Sequence, residues 1–223
     1  MPDQVKTRTK SEETRERIFQ AALEMFHERG FEATTMRDIA ALAGVATGAA
    51  YYYFDSKDSI VMAFYDRART EMEPHLEKAL SESRDLRERL YKLVKVKLDY
   101  FAPSRALLGA LSGHTNPEYP LSPFSEQTRE IREHDIRFFE KAVEGSRTPG
   151  PKDLRRHLPK LLWMYQMGII LFWIHDRTRG QAKTNILLEK SLDVVTRLIK
   201  LSSLPLTGPI RKSVTQLMDT LMA

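Results

Sequence analysis

Thr34–Lys57 reads TTMRDIAALAGVATGAAYYYFDSK, and the fold is decided by how that stretch divides. The threonine pair can cap a helix whose apolar positions are Met36, Ile39, Ala40 and Ala43. The pattern breaks at Gly44-Val45 and restarts over Thr47 to Phe54. Two short helices joined by a tight glycine-containing turn are the sequence form of a helix-turn-helix. Gly44 supplies the positive φ or close backbone approach such a turn needs, and Val45 fills the space between the helices. The second helix carries Tyr51, Tyr52 and Tyr53 in a row. A helix turns by about 100° per residue, so three consecutive side chains cannot share one core face. At least one tyrosine faces outward, where its hydroxyl can bond a phosphate oxygen. On these residues alone a plain packed helical hairpin stays open as the alternative.

Outward from the hairpin, residues 1–10 read as a flexible basic arm with Lys6, Arg8 and Lys10. A first helix is expected from Ser11, its cap, to Arg29-Gly30, with Ile18, Ala22 and Phe26 buried. Another helix is expected to start at Ser56-Lys57-Asp58 and to end or kink at Pro74.

Composition bounds the class. The chain has 223 residues, 42% of them hydrophobic, enough for a sizeable core. It has no cysteine, which removes a disulfide framework and thiolate metal sites. The polar start shows no secretory signal, and the apolar run from Leu161 to Ile174 falls short of the roughly 20 residues a membrane-spanning helix needs. A soluble, cytoplasmic protein is expected. The net charge is +5, yet the first seventy residues hold ten basic and eleven acidic side chains. The surplus therefore lies later in the chain, and global basicity does not argue for the hairpin; the local placement of Arg37 and Lys57 does.

Residues 11–65 resemble the DNA-binding domain of the TetR family of bacterial transcriptional regulators. The resemblance rests on FHERGFEATTMRDIA, on AGVATGAAYYYF and on the opening DSKDSI of the next helix. It implies phosphate contacts from Thr35, Arg37, Tyr53 and Lys57, base-edge contacts from Thr47, Gly48 and Ala49, and backbone or thymine-methyl contacts from Tyr51 and Tyr52. Residues at the leading end of a recognition helix enter the major groove, and helix N-termini attract phosphate. Phe54 reads as core. Two positions depart from the family pattern: Ala46 replaces a common serine cap, so Thr47 is expected to supply that oxygen, and Ala50 stands where leucine is frequent. The base-reading set is poor in long polar side chains, which moves readout towards Thr47, Tyr51, Tyr52 and DNA shape.

Periodicity carries the rest. A helix is expected over Arg84 to Phe101, with Leu86, Leu90, Leu93, Val94, Lys97 and Leu98 on its stripe, then a short one between Pro103 and Gly113. A longer one is expected from Ser122 to Glu144, and a turn-rich loop at Pro149-Gly150-Pro151. Leu154 to His175 is apolar on nearly all sides and is expected to be buried all round. Asn185 to Leu201 carries two stripes, one of Leu188, Leu192, Val195 and Ile199, the other of Leu187, Val194, Leu198 and Leu201. Two stripes suggest one contact within the subunit and one beyond it. The TetR resemblance implies that the last two long helices pair with a second subunit, with Leu161, Tyr165, Ile169, Phe172, Leu188, Leu192, Val195 and Ile199 at the interface. Pro209 to Met222 reads as a further helix.

The resemblance also implies an effector cavity in the C-terminal region, for which Phe64, Tyr91, Phe101, Phe124, Phe138, Trp163, Tyr165, Gln166 and Met167 are candidates. Their aromatic character fits a hydrophobic or amphipathic effector, such as a fatty acyl compound or planar drug. Glu126, Glu130 and His134 share helical i, i+4 spacing, but interleaved Arg129, Arg132 and Glu133 make a solvated face, not a closed ligand set. His75, His114, His157 and His175 form no cluster in sequence, and no phosphate loop, nucleophile elbow or HExxH motif is present. No metal and no cofactor is expected.

The expected molecule is an all-α homodimer with a flexible arm (1–10), a helix-turn-helix DNA-binding domain (11–56) and a helical effector-binding and dimerisation domain (57–223). It would act as a repressor on a palindromic operator, released by a small molecule. A TetR-like protein that binds a partner protein and not DNA, and an all-helical enzyme, stay open as alternatives; the slightly acidic first seventy residues speak for the former.

Overall fold

A computed structural model of the chain describes residues 9–112 and 116–222. The expected basic arm lies outside them except for Thr9 and Lys10, as do Gly113 and His114. Among the described residues every regular element is a helix. In chain order these are α1 (Lys10–Arg29), α2 (Met36–Leu42), α3 (Thr47–Tyr53), α4 (Lys57–Ser81), α5 (Leu86–Phe101) and α6 (Arg105–Leu111). Then follow α7 (Arg129–Glu144), α8 (Lys152–Arg155), α9 (Leu158–His175), α10 (Ala182–Leu201) and α11 (Gly208–Met222), with short 3-10 turns between some of them. No described helix is long and apolar enough to cross a membrane.

The helices form two compact units, Met1–Arg67 with Ser104–Thr128, and Ala68–Pro103 with Arg129–Ala223. The division read from the sequence follows linear order; the compact units instead take Ser104–Thr128 with the first, and α4 belongs to both.

In the first unit, α1 starts one residue earlier than expected because Thr9, not Ser11, caps it. Thr9 Oγ1 accepts from the Glu12 N–H at 3.2 Å while Glu12 Oε2 accepts from the Thr9 N–H at 2.7 Å, a reciprocal capping box. The buried face of α1 presents Ile18, Phe19, Ala22 and Phe26 to α2 and α3, and α6 packs on the same helix with Leu107 and Leu111 buried. Burial of each large side chain of that set contributes about 1.5–3 kcal/mol. Arg67 on α4 forms an ion pair with Glu16 and lies 4.0 Å from the centroid of the Phe19 ring, fixing α4 to α1.

In the second unit, α5 buries Leu86, Leu90, Leu93, Val94 and Leu98 as its spacing predicts. Arg89, on the same side, is buried as well. Its guanidinium donates to the carbonyls of Leu80 (2.6 Å), Ser83 (2.7 Å), Lys141 (2.7 Å) and Ala142 (3.0 Å). One cation thereby closes the C-terminal ends of α4 and α7, where unpaired carbonyls and the helix dipole favour positive charge. Asp176, between α9 and α10, does the converse. Its carboxylate accepts from the N–H and hydroxyl of both Thr178 (2.9 and 2.6 Å) and Thr184 (2.8 and 2.7 Å). The Thr178 and Thr184 bonds hold the Asp176 carboxyl well below the usual carboxylate range. Arg211–Asp153 and Arg156–Asp219, each at 2.7 Å, tie α11 to the α8 region.

Three expectations are corrected. Pro74 does not end α4; the helix continues to Ser81, with Leu76, Ala79 and Leu80 keeping its apolar face buried. Residues 122–128 are turns, and α7 begins only at Arg129. There the Ser125 hydroxyl donates to the Pro120 carbonyl at 2.8 Å and the Thr128 hydroxyl to that of Ser122 at 2.7 Å, side-chain bonds that compete with helix formation. Glu126 therefore precedes the helix that carries Glu130 and His134. Finally, α9 is not buried all round: Met164, Leu171 and Phe172 are exposed.

Candidate nucleic-acid interface and effector site

The threonine pair divides its work. Thr34 is buried, and its hydroxyl donates to the Gly30 carbonyl at 2.8 Å, closing the end of α1. Thr35 caps α2: its hydroxyl accepts from the Asp38 N–H at 3.2 Å and donates to Asp38 Oδ2 at 2.6 Å. That bond holds the Asp38 carboxyl below its ordinary value. The Thr35 hydroxyl is thus engaged in the cap, and the exposed Arg37 beside it is the cation presented at the start of α2.

Gly44 adopts φ 65°, the left-handed turn its place between the helices requires. At α3 the expected substitute cap does not form: Ala46 is the capping residue and no side chain bonds the helix start. Thr47 is already helical, because the first intrahelical bonds run from Ala49 and Ala50 N–H to the Ala46 carbonyl at 2.9 and 3.2 Å. The Thr47 and Gly48 N–H groups stand ahead of those bonds on an exposed helix start. Ala50 is fully buried, Ala49 half-buried.

The tyrosines separate as helix rotation demands. Tyr52 is 82% exposed and Tyr51 51%, while Tyr53 is half-buried with its hydroxyl 3.1 Å from Ser11 Oγ. Tyr53 therefore also ties α3 to α1. Phe54 is core, under the Arg15 guanidinium at 4.6 Å. Lys57 is turned inward: its ammonium donates to the Phe31 carbonyl at 2.6 Å and stands 4.5 Å from the centroid of that ring. Thr47, Gly48, Tyr51 and Tyr52 thus form one exposed edge, and the surrounding charges Arg37, Glu32 and Asp55 are of mixed sign.

The effector candidates fall in both units. Phe64 and Phe124 belong to the first, the former buried and the latter exposed. Tyr91 and Phe101 are half-buried on α5, Phe138 is buried on α7, and Trp163 and Gln166 are buried on α9 with Met167 half-buried. Tyr165 points elsewhere, its hydroxyl 2.6 Å from Ser191 Oγ on α10. Gln166 Nε2 donates to Asp135 Oδ2 at 3.1 Å, and Asp135 forms an ion pair with Lys97, a lysine only 3% exposed. Lys97 and Asp135 were not among the candidates. The available signal was a lysine on the apolar stripe read for α5, which its ion pair with the half-buried Asp135 explains. Among the described residues no group of three or more His, Asp or Glu is arranged to hold a metal.

The interface candidates need correction. Ile169, Leu188, Leu192 and Ile199 are buried within the chain, so they have no area to offer a second subunit. Leu161, Tyr165 and Val195 are half-buried, and Phe172 is exposed. The inward stripe of α10 is Leu188, Leu192, Thr196 and Ile199; the outward one holds Val194, Leu198 and Leu201.

These features define an all-helical protein, among the described residues, with an N-terminal helix-turn-helix. Residues 18–64 match the family model for bacterial regulatory proteins of the tetR family, and residues 89–218 match the tetracyclin repressor-like C-terminal domain. The probable HTH-type transcriptional regulator ArpR of Pseudomonas putida is 41% identical over 96 residues, 43% of this chain and 45% of that protein. The match thus spans under half the length of that relative. FadR of Bacillus halodurans, a fatty acid degradation regulator, superposes with a TM-score of 0.65 at 16% identity, over 84% of this chain and 96% of that one. FadR of Thermus thermophilus, a transcriptional repressor solved with lauroyl-CoA, superposes with a TM-score of 0.59 at 25% identity, over 85% and 95%. The chain belongs to the TetR family of bacterial regulatory proteins, and so among regulators and not enzymes.

Proposed function

We propose that the protein is a transcriptional repressor that binds a palindromic operator as a homodimer and leaves it when a small hydrophobic or amphipathic effector binds the C-terminal unit. The observation that carries this reading is the exposed edge of α3. Thr47 and Gly48 open a seven-residue helix that has no side-chain cap, and Tyr51 and Tyr52 stand exposed one turn further along it. Such an edge enters a major groove, with the free N–H groups and Arg37 set for phosphate. Thr35, Ala49, Tyr53 and Lys57 support the edge more than they extend it, through the cap, the packing and the bonds already described.

Dimerisation rests on the uncovered faces of α9 (Met164, Leu171, Phe172) and α10 (Val194, Leu198, Leu201). Exposed apolar residues at helical spacing on paired helices mark an association surface. A two-fold dimer places two recognition helices about 34 Å apart, or at a related spacing, and so reads a palindrome. The ligand step is linkage: an effector that prefers the DNA-incompetent form shifts the population towards it. The lauroyl-CoA complex of the Thermus thermophilus relative supports a small-molecule effector here. Such a regulator works in the bacterial cytoplasm, at the nucleoid.

The test is selection of bound duplexes from a random-sequence pool, followed by the stoichiometry of the selected complex. Enrichment of one palindrome bound by two chains is the expected result. Capture of a protein partner with no enriched sequence would favour the partner-binding alternative.

A further inference from the structure

Gln166 is fully buried, and while its Nε2 donates to Asp135, its Oε1 has no hydrogen-bond partner among the described residues. A buried acceptor left unpaired by the protein is uncommon, and a donor group on a bound molecule would satisfy it. Beside it lies Asp135, paired with the buried Lys97, whose ammonium stands 6.0 Å from the centroid of the Phe139 ring. Three helices of the second unit, α5, α7 and α9, thus bring a cation, an anion and a spare carbonyl oxygen together in an otherwise apolar core that includes Phe138, Trp163 and Ile169.

We infer that Lys97, Asp135 and Gln166 are the polar anchor of the effector site, and that its ligand is an uncharged, largely apolar molecule carrying a hydroxyl group. The inference rests on the reading that this unit binds a small molecule. Charge balance selects against ions. Lys97 and Asp135 neutralise each other, so a carboxylate or phosphate would meet the half-buried Asp135 and an amine the buried Lys97, each a like charge beside the fully buried Gln166. Hydrogen-bond capacity selects the hydroxyl. It both donates and accepts, so it can give its proton to Gln166 Oε1 and receive one of the remaining N–H groups of Lys97. A ketone can only accept, and a hydrocarbon leaves Oε1 unpaired.

The experiment is equilibrium binding of 1-naphthol, naphthalene and 1-naphthoate to the full chain at pH 7, followed by ligand fluorescence. Wild type is expected to bind naphthol at least roughly tenfold more tightly than either of the others, the worth of one buried neutral hydrogen bond. Gln166→Met keeps the volume and removes the acceptor; naphthol and naphthalene should then bind within about twofold of each other. Asp135→Asn leaves Lys97 unneutralised and should raise naphthoate affinity by roughly tenfold, a gain no loss of stability could produce. Equal wild-type affinity for naphthol and naphthalene, a preference for naphthoate, or no binding by any of the three overturns the inference. If either variant fails to fold, the wild-type ratio alone decides. Operator binding, measured on DNA without ligand, tests the regulatory reading separately.

Discussion

The Lys57 ammonium donates to the Phe31 carbonyl at 2.6 Å and to that of Glu32 at 3.4 Å while facing the Phe31 ring. The start of α4 is thereby fastened to the loop that leads into the helix-turn-helix. A charged hydrogen bond and a cation–π contact, both part-buried, contribute about 1–2 kcal/mol together. Lys57→Met should therefore lower the stability of the folded chain by about that amount in a urea titration. The salt dependence of DNA binding should stay unchanged, since the side chain is spent inside the unit.

Gly145 answers to Arg89 in the same way. A Cβ at position 145 would stand 2.6 Å from Arg89 Nη2 and 3.1 Å from the Lys141 carbonyl. Because four carbonyls hold that guanidinium in place, it cannot swing aside cheaply. Gly145→Ala should destabilise by about 1–3 kcal/mol, the usual range for overpacking, read from thermal or denaturant unfolding.

The pH dependence of stability should carry the mark of Asp176. Its folded-state pKa is depressed below the ordinary 3.8 by bonds from Thr178 and Thr184. Its contribution is therefore complete above the unfolded value and disappears as pH falls through the lower folded value. Asp176→Asn should lower the melting temperature at pH 7 and flatten the acid limb of the stability profile below about pH 4. An unchanged acid limb would show that other carboxylates set it.

The two stripes of α10 predict opposite outcomes. Leu198 is 59% exposed and Leu192 is fully buried in the single chain. Leu198→Glu should give a folded monomer by sedimentation equilibrium. Leu192→Glu should unfold the C-terminal unit, since a carboxylate without a partner cannot be buried there without a cost of several kcal/mol.

Much of the helix-turn-helix was legible because its determinants are local. The Thr35 cap, the positive φ at Gly44 and the apolar positions Met36, Ile39 and Ala40 all act within a few residues of one another. That at least one of the three tyrosines turns outward follows from helix rotation alone; that Tyr52 is the most exposed of them does not. What the chain concealed was tertiary. Whether Lys57 reaches solvent or Phe31 depends on a residue 26 positions away. The inward stripe of α10 could not be told from the outward one, because both are mostly aliphatic residues at helical spacing. The late start of α7 turned on which carbonyls the Ser125 and Thr128 hydroxyls reach. Lys97 was visible as an intruder on an apolar face, but its partner Asp135 lies on another helix.

The most direct test of the account is a salt-titrated binding assay with a duplex selected from random sequence, comparing wild type with Tyr52→Ala and Arg37→Ala. Tyr52 is so exposed that its loss should leave the fold intact while weakening specific binding by roughly tenfold, an interaction of the size expected at a base step or thymine methyl. Arg37→Ala should weaken specific and non-specific binding alike and reduce the slope of log affinity against log salt by about 1. Those two results together are what a major-groove reading head with one flanking phosphate cation predicts. Wild-type affinity in both variants, or no sequence enriched by the wild-type protein at low salt, would contradict it.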